Sequence, residues 1–593
     1  MNKKLVVQWW AVAVLAVGGL TACGGGGGGG SAPPPPATYP VGGNVSGLQG
    51  TVTLKNGADT LPVASNGAFT FQTPLATGAS YAATVDTQPT GQTCAVAGGT
   101  GAVSTAAVTS IQVTCTTNLA PMAGRTWRSG VLVEQGTTDV VTFAAAPGGD
   151  IGISDDGRAV ALFIQPGTSG TGSLRASIGT AGANATPPVW AAADLIDAAA
   201  PIYYLDNGYN RPHLAVSPNG NALVVWKTSQ ACGSDSYNPI GPSCRYLYAS
   251  RRLATATAWE TPVKVASTPQ LYGEALPAIN DNGDAAILFD GATSNSISSH
   301  RATVALRGAT EAGFRVEMLN QVTASNVVLV GQHVQFGLDN AARVTVVAQQ
   351  ATDLVAYRGT VAAGFGATPA ADAVETGTDT ATLYRARVGA DGAVAVLWKQ
   401  TTPTTLNATL ASVYLPSTGS WSPQQDLSAA LGTSLSAALA LRVPDGTAGD
   451  VVLFKDCTVT RRTTTVWQPT VDLGGGCAIG VTEGMGPWAV DRNGKNFIAV
   501  DPDTSLWRAY DVATSAFVKS VPTGTPVAGD YVLGVSAYPA GLFTVSSTQY
   551  TTALSPLGYG VMAVRNQYTQ LPATGGLNGA SGTAVNLWGI YFK

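Results

Sequence analysis

Charge is scarce in this chain. Only 11% of its 593 residues are Asp, Glu, Lys or Arg, and the formal net charge is −4. The basic residues form no block or stripe, so nucleic acid is not an expected partner. Histidine is scarcer still: His213, His300 and His333 are the only three. None lies near a cysteine in sequence, and the seven cysteines include no Cys-x-x-Cys pair. Zinc is therefore not expected. Asn280-Asp281-Asn282-Gly283-Asp284 superficially suggests a calcium loop but has no bidentate glutamate at position twelve. Asp501-Pro502-Asp503-Thr504-Ser505 alternates oxygen donors but has no glycine at position six. Both read as turns, where Asp, Asn and Gly gather for conformational reasons. Gly474-Gly475-Gly476 lacks the lysine and the strand-to-helix setting of a phosphate loop. No Gly-x-Ser-x-Gly elbow is present. No metal and no cofactor are expected.

Long apolar runs are missing too, except at the start. Lys3 and Lys4 precede Leu5 to Gly19, which is apolar apart from Gln8. That run is short for a membrane span and suits a secretory signal. The Leu20-Thr21-Ala22-Cys23 quartet that follows closely resembles the lipobox of bacterial lipoproteins. The resemblance implies that residues 1–22 are a signal peptide and that Cys23 carries a diacylglyceryl group. Two or three acyl chains anchor firmly where one binds only marginally. Gly24, rather than Asp, then favours the outer membrane, by analogy with lipoprotein sorting in Gram-negative bacteria. Whether the body faces the periplasm or the outside is left open. Residues 23–37 combine a glycine run with Pro33-Pro34-Pro35-Pro36, a flexible coil followed by a stiff spacer.

What the chain has in excess is Val, Thr, Ala and Gly, with 71 glycines. Helical periodicity is scarce and turn dipeptides are frequent, which reads as all-β. Residues 38–117 predict a small sandwich, with strands in TVTLKNG, GAFTFQT, SYAATVDT and SIQVTCT. That stretch resembles the immunoglobulin-like or transthyretin-like modules common near the N-termini of bacterial lipoproteins. Without Cys23, six cysteines form three local pairs: Cys94 with Cys115, Cys232 with Cys244, and Cys457 with Cys477. Export to an oxidising compartment favours nearest-neighbour disulfides.

The rest of the chain is periodic. ISDDGRAVALF, VSPNGNALVVW, INDNGDAAILF and VGADGAVAVLW share one pattern. Aligned on the second turn residue, the units fall at Gly157, Gly220, Gly283, Asn340, Gly392, Gly446 and Gly494. Asp-Gly and Asn-Gly are favoured in two-residue hairpins because both positions need positive φ. Apolar residues then run consecutively, as in Ala222-Leu223-Val224-Val225, and a strand of that kind is buried on both faces. Phe454 comes late in its unit, which implies a small insertion. Each unit supplies a strand, a hairpin, a buried strand and outer strands: one blade of a β-propeller. Residues 120–593 thus predict seven or eight blades. An eighth unit, VSAYPAGLFTV, keeps the apolar pattern without the turn. AVNLWGIYFK at the C-terminus, or residues 124–145, would close the ring.

The Asp/Asn-Gly-x-Ala-x-Val-x-Trp units resemble those of secreted bacterial propeller proteins, many without assigned function, related at a distance to sialidase-like propellers. Ser154-Asp155-Asp156-Gly157 departs from the sialidase Asp-box, with glycine one place early and no tryptophan. The Phe-Arg-Ile-Pro signature is missing, and no arginine triad stands out. The reading that follows is binding or scaffolding of an envelope protein or glycan rather than catalysis. The alternative is a glycan-active, sialidase-like hydrolase. Segments leading into inner strands gather round a propeller's channel mouth, where ligands tend to bind. They nominate Tyr209, Arg211, His213, Tyr272, Glu274, His333, Tyr384, Arg385 and Glu483. Each histidine lies seven places before its aligned turn residue, which predicts His213 and His333 at one height.

Overall fold

A computed structural model describes residues 37–592, apart from short segments between strands and the longer stretches 118–130, 133–150, 198–211, 232–242, 320–333, 473–487, 520–542 and 571–582. The signal peptide, Cys23 and the tether up to residue 36 lie outside the described residues, as do Cys232, Cys457 and Cys477. The chain is all-β; the one helix among the described residues is the single turn Ser428–Leu431.

The N-terminal part folds as expected, from two four-stranded sheets. One orders Gly67–Thr70, Val41–Ser46, Val108–Thr117 and Gln92–Ala97; the other orders Asp59–Val63, Val52–Asn56, Ser80–Thr87 and Thr100–Ala102. Val41, Val52, Leu54, Ile111 and Val113 form a closed core between them. Cys94 and Cys115 face each other directly across the last two strands of their sheet and are joined by a disulfide.

The remainder is an eight-bladed propeller. Its inner strands are Ile151–Ile153, His213–Val216, Leu276–Ile279, Val334–Leu338, Thr380–Val388, Leu439–Arg442, Trp488–Val490 and Phe543–Leu554. Each begins a sheet of at least four antiparallel strands. The inner strand of the eighth blade lies beside those of the seventh and the first, so the ring closes. Both expected closing segments take part. AVNLWGIYFK forms the third strand of the last blade, Thr583–Phe592, and Val131–Leu132 adds its outermost strand. The eighth unit also keeps its turn, further on than the sequence pattern places it. Its inner strand runs on to Leu554, and Ser555 N–H donates to Tyr559 O at 2.8 Å.

The turns differ from the two-residue type expected. In the first blade Gly157 N–H donates to Ser154 O at 3.1 Å and Ser154 N–H to Arg158 O at 2.9 Å. Only Gly157 has positive φ, at 85°. This is a three-residue loop, a type I turn followed by one left-handed residue. Gly220 (φ 93°), Gly283 (87°) and Gly392 (84°) occupy the same place. In the fourth blade the left-handed residue is Ala342 (φ 58°), not Asn340. In the sixth it is Gly449 (φ 92°), later than the expected Gly446, which is the inferred insertion. Gly446 itself lies outside the described residues. In the first four blades the residue opening the turn caps it from within: Arg158 N–H bonds Ser154 Oγ, Asn221 N–H bonds Ser217 Oγ, Asp284 N–H bonds Asn280 Oδ1 and Arg343 N–H bonds Asp339 Oδ1.

The second strand of each blade is the core. Ala222 through Trp226 are all at most 1% exposed, although successive side chains point to opposite faces. Leu223 and Val225 pack against Ile287 and Phe289 of the third blade, whereas Val224 and Trp226 pack against Leu162 and Ile164 of the first. The same alternation joins the third to the fourth, the fourth to the fifth and the fifth to the sixth blade. Phe454 stacks on Phe497 between the sixth and seventh, with ring centroids 5.7 Å apart. Glu260 adds a polar clamp, pairing with Arg251 of its own blade at 2.9 Å and Arg307 of the next at 2.7 Å.

The turn geometry sets two opposite outcomes. Gly220→Ala leaves ordinary contact distances around the new Cβ, the nearest atom being 3.6 Å away. Its cost is therefore conformational, about 1–2 kcal/mol. Ala342→Gly removes the same strain and raises stability by up to about 1 kcal/mol. Urea unfolding of the two variants, followed by tryptophan fluorescence, reads both signs.

Candidate functional site

Of the nine residues nominated from sequence, Tyr209, Arg211, Tyr272, His333 and Glu483 lie outside the described residues, as do Tyr203, Tyr204, Asp206 and Gln332. His213, Glu274, Tyr384 and Arg385 are described. Glu274 is half-buried in the segment before the third inner strand. His213 opens the second inner strand, is 3% exposed and sits opposite Val225. Trp488, which opens the seventh inner strand, is 2% exposed and packs on Phe497. Moving the turn residue from Asn340 to Ala342 also changes the heights. Gln335 pairs with Val347, five places after Ala342, just as His213 pairs with Val225, five places after Gly220. Gln335 is thus level with His213, while His333 lies outside the described residues.

Tyr384 and Arg385 lie within the fifth inner strand rather than in the segment before it. Tyr384 is the extra residue of a bulge: Leu383 pairs with Trp398 and Arg385 with Leu397. A bulge re-aims the side chains beside it. Gln335 of the preceding blade fastens this one, donating to Tyr384 O at 3.1 Å and accepting from Ala386 N–H at 2.6 Å. The Arg385 guanidinium then lies over the Tyr384 ring, 5.3 Å from its centre.

Two further arginines, which the sequence reading passes over, join this one. Each inner strand has a residue two places before its turn opener. In blade order these are Gly152, Ala215, Ala278, Gly337, Arg387, Arg442, Ala489 and Ala553. The ladder sets them at one height: Gly152 pairs with Val160, Arg387 with Ala395 and Arg442 with Val452. The row lies where neighbouring inner strands converge. A Cβ on Gly152 would come within 2.4 Å of Val216 in the next blade, and one on Gly337 within 2.5 Å of Val388. Long side chains do not fit between strands there and must leave along the channel wall. Arg442 does so by lying across the seventh blade. Its Nε donates to Asp491 O at 2.9 Å and its Nη2 to Val490 O at 3.1 Å. Arg387 stays solvent-exposed, with one weak bond of its own, Nη1 to Ala386 O at 3.3 Å.

The electrostatics of the cluster are one-sided. Burial, then the nearby Arg387, pushes the Arg442 guanidinium down to about 9, against the pull of Asp491. Burial and Arg387 also lower Arg385. The carboxylate of Asp491 is spent inside its own turn, accepting N–H bonds from Asn493 at 2.7 Å and Lys495 at 3.1 Å and another from Asn496. Arg385 and Arg387 make no ion pair among the described residues. Chemically the arrangement offers planar, weakly hydrated N–H donors to a negatively charged group. It offers no proton-transfer pair.

Other polar sites are structural. At the turn end of the ring, Arg492 of the seventh blade pairs with Asp155 of the first, Nη2 to Oδ2 2.7 Å, spanning the eighth. Asn219, Asp281 and Asn340 link successive turns: Asn219 N–H donates to Asp281 Oδ1 at 2.9 Å, and Asn340 Nδ2 to Asp281 Oδ2 at 3.0 Å. The loop suspected of calcium chemistry is therefore bonded into this girdle, with Asn280 Nδ2 donating to Asp339 O at 3.0 Å. No group of three metal-binding side chains occurs among the described residues.

No protein-family model matches this chain, and no curated protein matches it. Solved structures do resemble it. An ulvan lyase of polysaccharide lyase family PL25 aligns at 10% identity and a TM-score of 0.36, over 77% of this chain and 95% of its own. AztD of Citrobacter koseri aligns at 12% and 0.33, over 67% and 94%. The β-propeller domain of the trilobed protease of Pyrococcus furiosus aligns at 9% and 0.32, over 64% and 93%. Likeness at this level carries nothing about activity to this chain.

One buried carboxyl sets a pH dependence. Asp290, fully buried in the third blade, is pushed up to about 8 by burial, against the opposing charge of Lys227. In the unfolded chain it titrates at its ordinary value near 3.8. Between those limits the native state holds a proton that the unfolded state has lost, so this group makes stability fall as pH rises from about 4 to about 8. Asp290→Asn flattens that slope in thermal unfolding measured from pH 5 to pH 8.

Proposed function

We propose that this protein is an outer-membrane lipoprotein whose propeller binds an envelope protein or glycan without turning it over. The anchor rests on Leu20-Thr21-Ala22-Cys23, at the distance from Met1 where a lipobox belongs. Acylation at Cys23 places the chain on the membrane, and the Gly/Pro-rich segment after it holds the folded body away from the lipid. That segment spans at most about 50 Å.

One observation carries the binding reading. The eight inner strands contain Arg385, Arg387, Arg442 and His213 but no aspartate or glutamate. Hydrolysis of a glycosidic bond ordinarily uses two carboxylates on either side of it. The inner strands of this ring instead supply positive charge on a rigid frame, which favours holding a ligand over cleaving one.

Two measurements test the reading. Radiolabelled palmitate is incorporated into the wild-type chain, and Cys23→Ala abolishes the label and moves the protein into the soluble envelope fraction. A Cys23→Ala chain that stays membrane-bound overturns the anchor. Separately, the purified full-length protein captures a glycan or envelope protein and releases no product from a panel of fluorogenic glycosides. Turnover on that panel favours the hydrolase instead.

A further inference from the structure

We propose that the channel wall spanning the fifth to seventh blades is an anion-binding site, in which Arg387 and Arg442 grip a carboxylate, sulfate or phosphate group of the ligand. This rests on the binding reading above for its biological sense and narrows the ligand to an acidic one.

The argument starts from the row two places before the turns. Six of its eight members are Gly or Ala, and the exceptions, Arg387 and Arg442, are neighbours. The small residues follow from the close approach of the strands measured at Gly152 and Gly337. An arginine breaks that pattern. Two side by side repel each other, and Arg385, whose guanidinium Arg387 pushes down, brings a third like charge. Such like-charge repulsion is relieved when an anion lies between the groups. The wall therefore concentrates positive charge at one place in an otherwise repetitive row.

The two arginines also differ in a way that suits a ligand. Arg442 is fixed by three backbone carbonyls, Leu441 O at 3.0 Å besides those of Val490 and Asp491. Its plane is thus preset. Arg387 is exposed and lacks a carboxylate partner, so it can close on whatever Arg442 presents. A fixed guanidinium and an exposed one together can recognise planar or tetrahedral oxyanions by paired N–H bonds. The low-dielectric walls of a channel strengthen that attraction by focusing the field.

The test exploits the row itself. Arg387→Ala places at this position the residue already found at Ala215, Ala278, Ala489 and Ala553, so the variant folds and its Tm without added anion is equal to or above that of wild type. The probes are glucuronate, sulfate and inorganic phosphate, each titrated against chloride at constant ionic strength. The wild-type full-length protein shows a saturable rise in Tm, roughly 2 °C at ten times the half-saturating concentration. Arg387→Ala loses the rise, and Arg387→Lys keeps part of it. The anion giving the tightest saturation identifies the ligand's acidic group. An equal rise in wild type and Arg387→Ala, or no rise with any of the three anions, overturns the site. Either result leaves the binding reading itself standing, because capture of a neutral glycan or a protein is measured separately.

Discussion

Everything in the propeller depends on one constraint: the second strand of every blade has two apolar faces. A sheet with one apolar face can stop at a sandwich. A sheet with two must have a neighbour on each side, and a row of such sheets ends only by closing on itself. Leu223 and Val225 facing one neighbour while Val224 and Trp226 face the other is that demand in four residues. Each fully buried Leu, Val or Phe contributes about 1.5–3 kcal/mol relative to exposure. Omitting one blade would uncover two such faces, which is why Val131–Leu132 returns to complete the blade that the C-terminus builds.

Closure fixes what the axis can hold. Where inner strands converge, side chains shrink to Gly and Ala, and the turns below them lock into a girdle of Asn and Asp bonds. The wall is therefore rigid, narrow in its choice of residues and nearly featureless. Chemistry can enter only where a blade breaks the pattern. The fifth blade does so twice, with the bulge at Tyr384 and with Arg387, and the sixth does so with Arg442.

This division explains how much the sequence disclosed. Runs such as Ala222 to Trp226 announce double burial directly, because no half-exposed strand tolerates consecutive apolar residues. The ring, the sandwich strands and the Cys94–Cys115 pair were legible for the same reason: each leaves a local pattern. Turn type was not. Asn-Gly suits a loop with two left-handed residues as well as a loop with one, so only the bonds from Ser154 to Gly157 and Arg158 decide between them. The fourth blade then misled further, because Ala342 adopts a conformation that its identity does not advertise. The site was half legible. Tyr384 and Arg385 stand out as an aromatic–cation pair, but Arg387 and Arg442 are 55 residues apart in sequence. Their kinship appears only once turn closure sets the register, after which counting back two residues from each turn opener reveals the row.

The placement of those arginines follows from energetics as well as geometry. A buried cation is tolerable when dipoles replace its water, and the carbonyls of Leu441, Val490 and Asp491 do this for Arg442. They cannot do it for three guanidinia together, since carbonyls orient but carry no net charge. An anion bound among them would supply the charge that carbonyls lack. A ring whose neighbouring blades pack their second strands face to face tolerates like charges better than a small sandwich held by one core and one disulfide. A cationic patch of this kind therefore belongs in the propeller rather than in the N-terminal sandwich. Within the propeller it belongs on the inner strands, where neighbouring blades converge and backbone carbonyls hold Arg442 in place.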